Sequence, residues 1–153
     1  MATMRLEIIT AERQVYADDV ELVVAPGMEG QLGILARHAP LMTALQPGEI
    51  LIRKDGEDSY LAVTGGFMEV IGNTVTILAD ACEHSEEIDE ERAQAAVDQA
   101  REEQSQQGGA GFQLERVAAS LRRAEVRLNV ARRRRPRSGL GAGSGGSSSG
   151  GAG

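Results

Sequence analysis

Apolar and polar residues alternate with period two through most of the stretch from Met4 to Ala81. Leu6 and Ile8 alternate with Arg5 and Glu7, and Val20, Leu22 and Val24 with Asp19 and Glu21. Ile50 and Ile52 alternate with Glu49 and Arg53. Leu61 and Val63 follow Tyr60, Met68 and Val70 flank Glu69, and Val75, Ile77 and Ala79 alternate with Thr76 and Leu78. Runs of this length and period predict half-buried strands. Turn signals separate them at Ala17-Asp18, Pro26-Gly27, Gln46-Pro47-Gly48, Asp55-Gly56, Gly65-Gly66 and Gly72-Asn73. Lys54-Asp55-Gly56-Glu57 has the composition of a two-residue hairpin turn. Many short strands at this spacing predict an antiparallel sandwich or barrel.

The period changes near Asp80. From Ile88 to Gln107 the chain is rich in Ala, Glu and Gln, and Ala93, Ala96, Val97 and Ala100 form the i, i+3, i+4, i+7 stripe of an amphipathic helix. Gly108 to Gly111 breaks it. A second helix is expected from Phe112 to Arg134, with Leu114, Val117, Ala118, Leu121, Leu128 and Ala131 on one face, and Pro136 ends it. Ser138 to Gly153 is Gly/Ser-rich, the composition of a disordered tail. The fold class is α+β: an antiparallel β-sandwich over residues 1–83, a two-helix antiparallel hairpin over 84–137, and the tail over 138–153. The hairpin seam is mostly Ala, which contributes less on burial than large aliphatics. It is therefore expected to be weakly held and able to rearrange.

Charge sharpens this picture. The first helical segment carries Glu83, Glu86, Glu87, Asp89, Glu90, Glu91, Asp98, Glu102 and Glu103 against Arg92 and Arg101. From Arg116 to Arg137 the balance reverses, with nine arginines against Glu125. Two solvated faces of an antiparallel hairpin, attracted by opposite charge, are one full reading of the pattern. The basic helix, through Arg116, Arg122, Arg123 and Arg127, also suits an acidic partner surface. The net charge of −7 argues against nucleic-acid binding. The single Cys82 excludes an internal disulfide and a cysteine-rich zinc site, and no metal site is expected. No apolar run approaches the ~18 residues of a membrane span, and the N-terminus lacks a signal-peptide core. Membrane association is expected only through partners.

Candidate chemistry is sparse, and no catalytic residue is assigned. His38 has no neighbouring nucleophile or second base, so a hydrolase centred on it lacks its parts. It reads as a turn residue. The glycines between Gly27 and Gly33 lack the Lys-Ser/Thr of a phosphate loop. Gly27, Gly30, Gly33, His38, Pro40, Gly48, Gly65 and Gly66 are all read as structural turn positions. Asp89 suits the N-terminus of the first helix.

The order Pro26-Gly27, Gly30 to Leu35, His38 to Leu41 and Leu45 to Gly48 resembles the epsilon subunit of the F-type proton-translocating ATP synthase. Val63 to Val70 and Asn73 to Ala79 extend the resemblance, which covers Met4 to Ala131. It implies a noncatalytic rotor subunit that couples proton flow to ATP synthesis. It also implies a sandwich seated on the gamma subunit and the c-ring, and helices that regulate the alpha/beta catalytic head. The location implied is the cytoplasmic face of a bacterial plasma membrane, or alternatively a thylakoid membrane. Ile88-Asp89-Glu90-Glu91-Arg92-Ala93 is similar to the motif of members whose helices fold around ATP. That similarity implies a regulatory ATP site at Glu83, Ile88, Asp89, Arg92, Ala93, Arg116, Arg123 and Arg127, and no required cofactor. Gln99 departs from the basic residue usual in that pattern, and Arg101 is a substitute nearby. A free-standing ATP-sensing module is the alternative reading.

Overall fold

The computed structural model describes residues 2–106 and 111–133, with the side chains of 111–113 left aside. Ten strands come first: β1 (Met4–Ile9), β2 (Gln14–Val20), β3 (Leu22–Gly27), β4 (Gly30–Leu35), β5 (Leu41–Leu45), β6 (Gly48–Lys54), β7 (Glu57–Val63), β8 (Gly66–Ile71), β9 (Thr74–Ala79) and β10 (Cys82–His84). A 3-10 turn at Ser85–Glu87 leads to α1 (Glu90–Gln106) and α2 (Gly111–Arg133). Of the expected break at Gly108 to Gly111, Gly111 is the first residue of α2; residues 108–110, the expected helix end at Arg134 to Pro136 and the tail over 138–153 lie outside the described residues.

The strands form two layers joined at a corner. One layer runs β4–β3–β6–β7–β10 and the other β5–β8–β9–β1–β2. β3 makes the corner. One edge of it pairs with β4 along its whole length. The other edge pairs with β6 at Leu22–Val24 and with β5 at Gly27. Gln46 donates its backbone N–H to the Pro26 carbonyl at 2.9 Å there. The ring of Pro26 also explains Gly48, where a Cβ would stand 2.6 Å from the Pro26 Cβ. At Gly66, with φ at +139°, a Cβ would stand 2.1 Å from the Leu78 carbonyl oxygen. Asp55-Gly56 and Gly72-Asn73 have both residues at positive φ, the requirement of type I′ hairpins.

Several local expectations are corrected. β1 pairs with β9 in parallel, with Leu6 opposite Val75, so one pair of the otherwise antiparallel sandwich runs the other way. Ala17-Asp18 lies inside β2 rather than in a turn. Val20 and Leu22 belong to different strands, split at Glu21. In β3 it is Val23 and Ala25 that are buried, while Leu22 and Val24 are half-buried. β4 and β5 arise from a stretch read as turns, and Gly33 is a mid-strand residue of β4 with open space where a Cβ would go.

The core between the layers is aliphatic. Leu6, Ile8, Val23, Ile34, Ile50, Ile52, Leu61, Met68 and Ile77 are fully buried in it. Each removes apolar area from water, worth about 1.5–3 kcal/mol per side chain. A second, smaller cluster lies outside this core. It joins Ala62 of β7 to Ile88, Ala93, Val97, Leu128, Val130 and Ala131. The helices are thus folded down on the outer face of the β6–β7 layer. No described helix is long and apolar enough to cross a membrane.

Candidate functional site

The hairpin is seated by a row of side chains across three strands. Glu49 of β6 pairs with Ala62 of β7, and Ala62 pairs with Glu83 of β10. Direct partners share a face, so the row reads acid, small, acid on the outside of the sandwich. Arg127 of α2 donates to Glu83 with both arms, Nε to Oε2 at 2.6 Å and Nη2 to Oε1 at 3.1 Å. Arg133 donates Nε to Glu49 Oε2 at 3.1 Å and lies 5.2 Å from the Tyr60 ring centroid. The spacing has a geometric reason. Six helical residues rise about 9 Å, and two interstrand gaps measure about 9.6 Å. α2 therefore crosses the strands with one arginine at each end of the row and the buried Val130 and Ala131 between them.

The start of α1 is fixed locally. The Asp89 carboxylate accepts the backbone N–H of Arg92 at 3.1 Å, and the Asp89 carbonyl accepts that of Ala93 at 2.9 Å. Asp89 is thus an N-cap. Ile88 and Ala93 are fully buried under the hairpin. On the sandwich side, Arg13 Nη2 lies 3.0 Å from Glu87 Oε2, and His84 Nε2 lies 3.0 Å from the Val15 carbonyl. Together these tie the 3-10 turn to the edge of the second layer.

The residues implied for ATP are therefore divided. Glu83 and Arg127 bond each other, Asp89 caps α1, and Ile88 and Ala93 are core. Arg92 is exposed, 3.9 Å from Asp89. Arg116, Arg122 and Arg123 are exposed and carry no ion pair among the described residues. The geometry offers those three as an open basic arm and keeps Arg127 in the clamp. Glu49, Tyr60 and Arg133 were not legible as contact residues, because the strand pattern shows a face but not what covers it.

The loop from residue 36 to 40 carries His38 and Pro40. His38 is exposed, and its Nδ1 lies 2.7 Å from the Ala39 carbonyl. Arg37, at φ 65°, donates its backbone N–H to Asn73 Oδ1 at 2.9 Å. No group of three metal-ligating side chains occurs among the described residues. Cys82 is buried, and loss of solvation pushes its thiol pKa up to about 12, which leaves it protonated and unreactive.

No described residue covers the opposite outer face, on β5, β8 and β9. Met42 is 71% exposed, Phe67 60% and Leu78 55%. Phe67 is paired with Ala44 on one side and Leu78 on the other, so these side chains form one patch. A shallow groove of about 180 Å³ runs between Met42, Phe67, Glu69, Thr76 and Leu78.

Two family models match in succession. Residues 3–85 match the β-sandwich domain of the ATP synthase delta/epsilon chain. Residues 86–132 match its long α-helix domain. The chain belongs to the ATP synthase epsilon family. It is 51% identical over 138 residues to the ATP synthase epsilon chain of Herpetosiphon aurantiacus, covering 88% of this chain and 98% of the relative. It is 48% identical over 135 residues to that of Dehalococcoides mccartyi strain BAV1, covering 88% and 96%. The fold is similar to a chain in the Euglena gracilis mitochondrial ATP synthase, OSCP/F1/c-ring, with a TM-score of 0.72 and 23% identity over 82% of this chain and 79% of that one. As an epsilon-family chain it is a subunit of the synthase and not one of its catalytic chains.

Proposed function

We propose that the chain is a central-stalk subunit whose sandwich is seated on the gamma subunit and the c-ring while its hairpin regulates ATP hydrolysis by the alpha/beta head. The observation that carries this is the contrast between a bare apolar face and a covered one. Met42, Phe67 and Leu78 form a contiguous exposed patch that a protein acting alone has no reason to keep. This favours a seated subunit over a free-standing ATP sensor. The gamma subunit is the partner assigned to that patch, and the c-ring is assigned to the loop end that carries His38. The bacterial relatives support a location on the cytoplasmic face of a plasma membrane rather than a thylakoid.

Regulation is assigned to the exposed arm of α2. Arg116, Arg122 and Arg123 are directed at an acidic surface of the head when the hairpin leaves its seat. ATP acts as a regulatory ligand of the docked hairpin in this reading, through the exposed Arg92, Arg116 and Arg123. Binding it with Glu83 and Arg127 as well requires opening the clamp.

The test is reconstitution of the synthase with the chain carrying Arg116→Ala, Arg122→Ala and Arg123→Ala. Hydrolysis at low salt is expected to rise severalfold, while assembly and ATP synthesis persist. Equal hydrolysis by wild-type and variant complexes of equal occupancy would overturn the assignment.

A further inference from the structure

The helices cover only part of the outer face on which they sit. Beyond the row Glu49, Ala62 and Glu83, the same face carries two more rows. One is Gly33 of β4, Val24 of β3, Leu51 of β6 and Tyr60 of β7; the other is Leu35, Leu22, Arg53 and Asp58 in the same strand order. Leu35 is 61% exposed, and Leu22, Val24 and Leu51 are half-buried and belong to neither buried cluster. A Cβ at Gly33 would meet nothing within 4 Å. These residues form an apolar strip over β6, β3 and β4, continuous through Tyr60 with the seat of the hairpin.

The strip ends at an unguarded edge. Among the described strands β4 pairs with β3 alone. Its residues, Gly30–Leu35, include no charge and no proline, two of the devices that keep an edge from pairing elsewhere. The edge of the other layer is guarded: β2 carries Asp18 and Asp19, and its register with β1 shifts between Ile8 and Ile9. β10 is only three residues long.

The chain itself leads to the strip. Arg127 sits over β10 and Arg133 over β6. α2 therefore crosses the strands in the order β10, β7, β6, and β3 and then β4 come next. Glu49 and Gly33 are two interstrand gaps apart across the sheet and two residues apart along it, ~12 Å in all. Leu140 lies seven residues after Arg133, a reach of up to ~23 Å. It is the one large apolar residue within 134–153. Arg134, Arg135 and Arg137 precede it, and the far rim of the strip holds Glu21, Asp55, Glu57 and Asp58 against Arg53 and Lys54. Glu21 belongs to that rim because its carboxylate accepts the Gly56 backbone N–H at 3.2 Å. The family match stops at residue 132, so this segment lies beyond what the family pattern describes.

We propose that residues 134–141 cross the outer face of β3 and set Leu140 in the open space above Gly33, against Val24 and Leu35. The apolar strip is covered by this chain's own segment, which also shields the β4 edge. The proposal needs only the folded-down helices and does not rest on the function proposed above.

The experiment compares backbone amide NMR of the full isotopically labelled chain with that of Leu140→Ser and Leu35→Glu variants. In the unaltered chain the order parameter at position 140 is expected above ~0.6, and in both variants below it. Leu140→Ser is expected to shift the amide signals of Val24, Gly33 and Leu35 and to leave those of Met42, Phe67 and Leu78 in place. Leu35 points away from the core, so Leu35→Glu is expected to keep the thermal transition, and Leu140→Ser carries the test by itself if it does not. A low order parameter at position 140 in the unaltered chain overturns the proposal, as does one that Leu35→Glu leaves high in a folded chain. Shifts confined to residues 138–142 overturn it, and so do shifts at Met42, Phe67 and Leu78 instead. Shifts that depend on protein concentration also overturn it, since the segment then covers a second copy.

Discussion

The two outer faces of the sandwich are built from similar strands and finished in opposite ways. The β6–β7–β10 face presents Glu49, Ala62 and Glu83 and is covered by the chain's own helices. The β5–β8–β9 face presents Met42, Phe67 and Leu78 and is bare. Large apolar side chains suit an interface that stays closed, since exposing them again costs about 1.5–3 kcal/mol each. Small residues ringed by half-exposed ion pairs suit one that opens, since each such pair contributes about 1 kcal/mol or less. One face is chemically a permanent seat and the other a latch.

The comparison breaks most readily at the bare face. Met42→Glu with Phe67→Glu places two charges in the patch without touching the core, because both side chains point away from it. The variant is expected to keep its thermal transition and to lose pull-down by the gamma subunit by about a hundredfold or more. Undiminished gamma binding would show that this face is not the seat.

At the covered face the expected effect is smaller. Glu49→Gln with Glu83→Gln removes both acids of the clamp and leaves the row's shape intact. The two pairs together are worth about 1 kcal/mol, so the undocked population is expected to rise about fivefold. Fluorescence transfer between labels on β7 and on α2 near residue 120 reads this directly. An unchanged transfer efficiency would mean that Ile88, Val130 and the alanines hold the hairpin alone.

These two faces were unequally legible in the sequence. Period two gave β1, β8 and β9, and Asp55-Gly56 located the β6–β7 hairpin. Of the helix stripes, Ala93, Val97, Ala100, Val117, Leu128 and Ala131 are buried, Ala96, Ala118 and Leu121 are half-buried, and Leu114 is exposed. β4 and β5 were hidden because glycine and proline at the corner look like turns until Pro26 and Gly48 are seen packed together. Val23 and Ala25 were hidden because β3 carries apolar residues on both faces. The parallel pairing of β1 with β9 is a long-range choice with no local signal. Asp89 as a cap was legible because capping is local. The clamp was not, since it depends on a register that aligns Glu49 with Glu83 through Ala62.

Truncation after His84 sharpens the contrast by removing the cover. Every residue of the main core precedes that point. The shortened chain is expected to unfold cooperatively with a Tm lower by about 5 °C, the equivalent of about 1 kcal/mol in a domain of this size. Loss of the cooperative transition would mean that the helices are part of the sandwich's core rather than a cover.

The smallest expected effect lies at the edge that belongs to neither face. Lys54 of β6 hydrogen-bonds Asp18 of β2 and so ties one layer to the other. That bond, with the Asp19 backbone N–H, holds the Asp18 carboxyl below its ordinary value, and it raises the Lys54 pKa in return. A depressed carboxyl stabilises the fold above its ordinary value of 3.8, and this is lost as pH falls through the lower folded value. Asp18→Asn is therefore expected to destabilise the chain slightly at pH 7, with the difference from wild type vanishing toward pH 2. Both groups are solvent-exposed, so 0.5 M salt is expected to shrink the difference at pH 7 as well. Urea midpoints across that pH range measure it. A difference independent of pH would assign the effect to the side chain's shape rather than to its ion pair with Lys54.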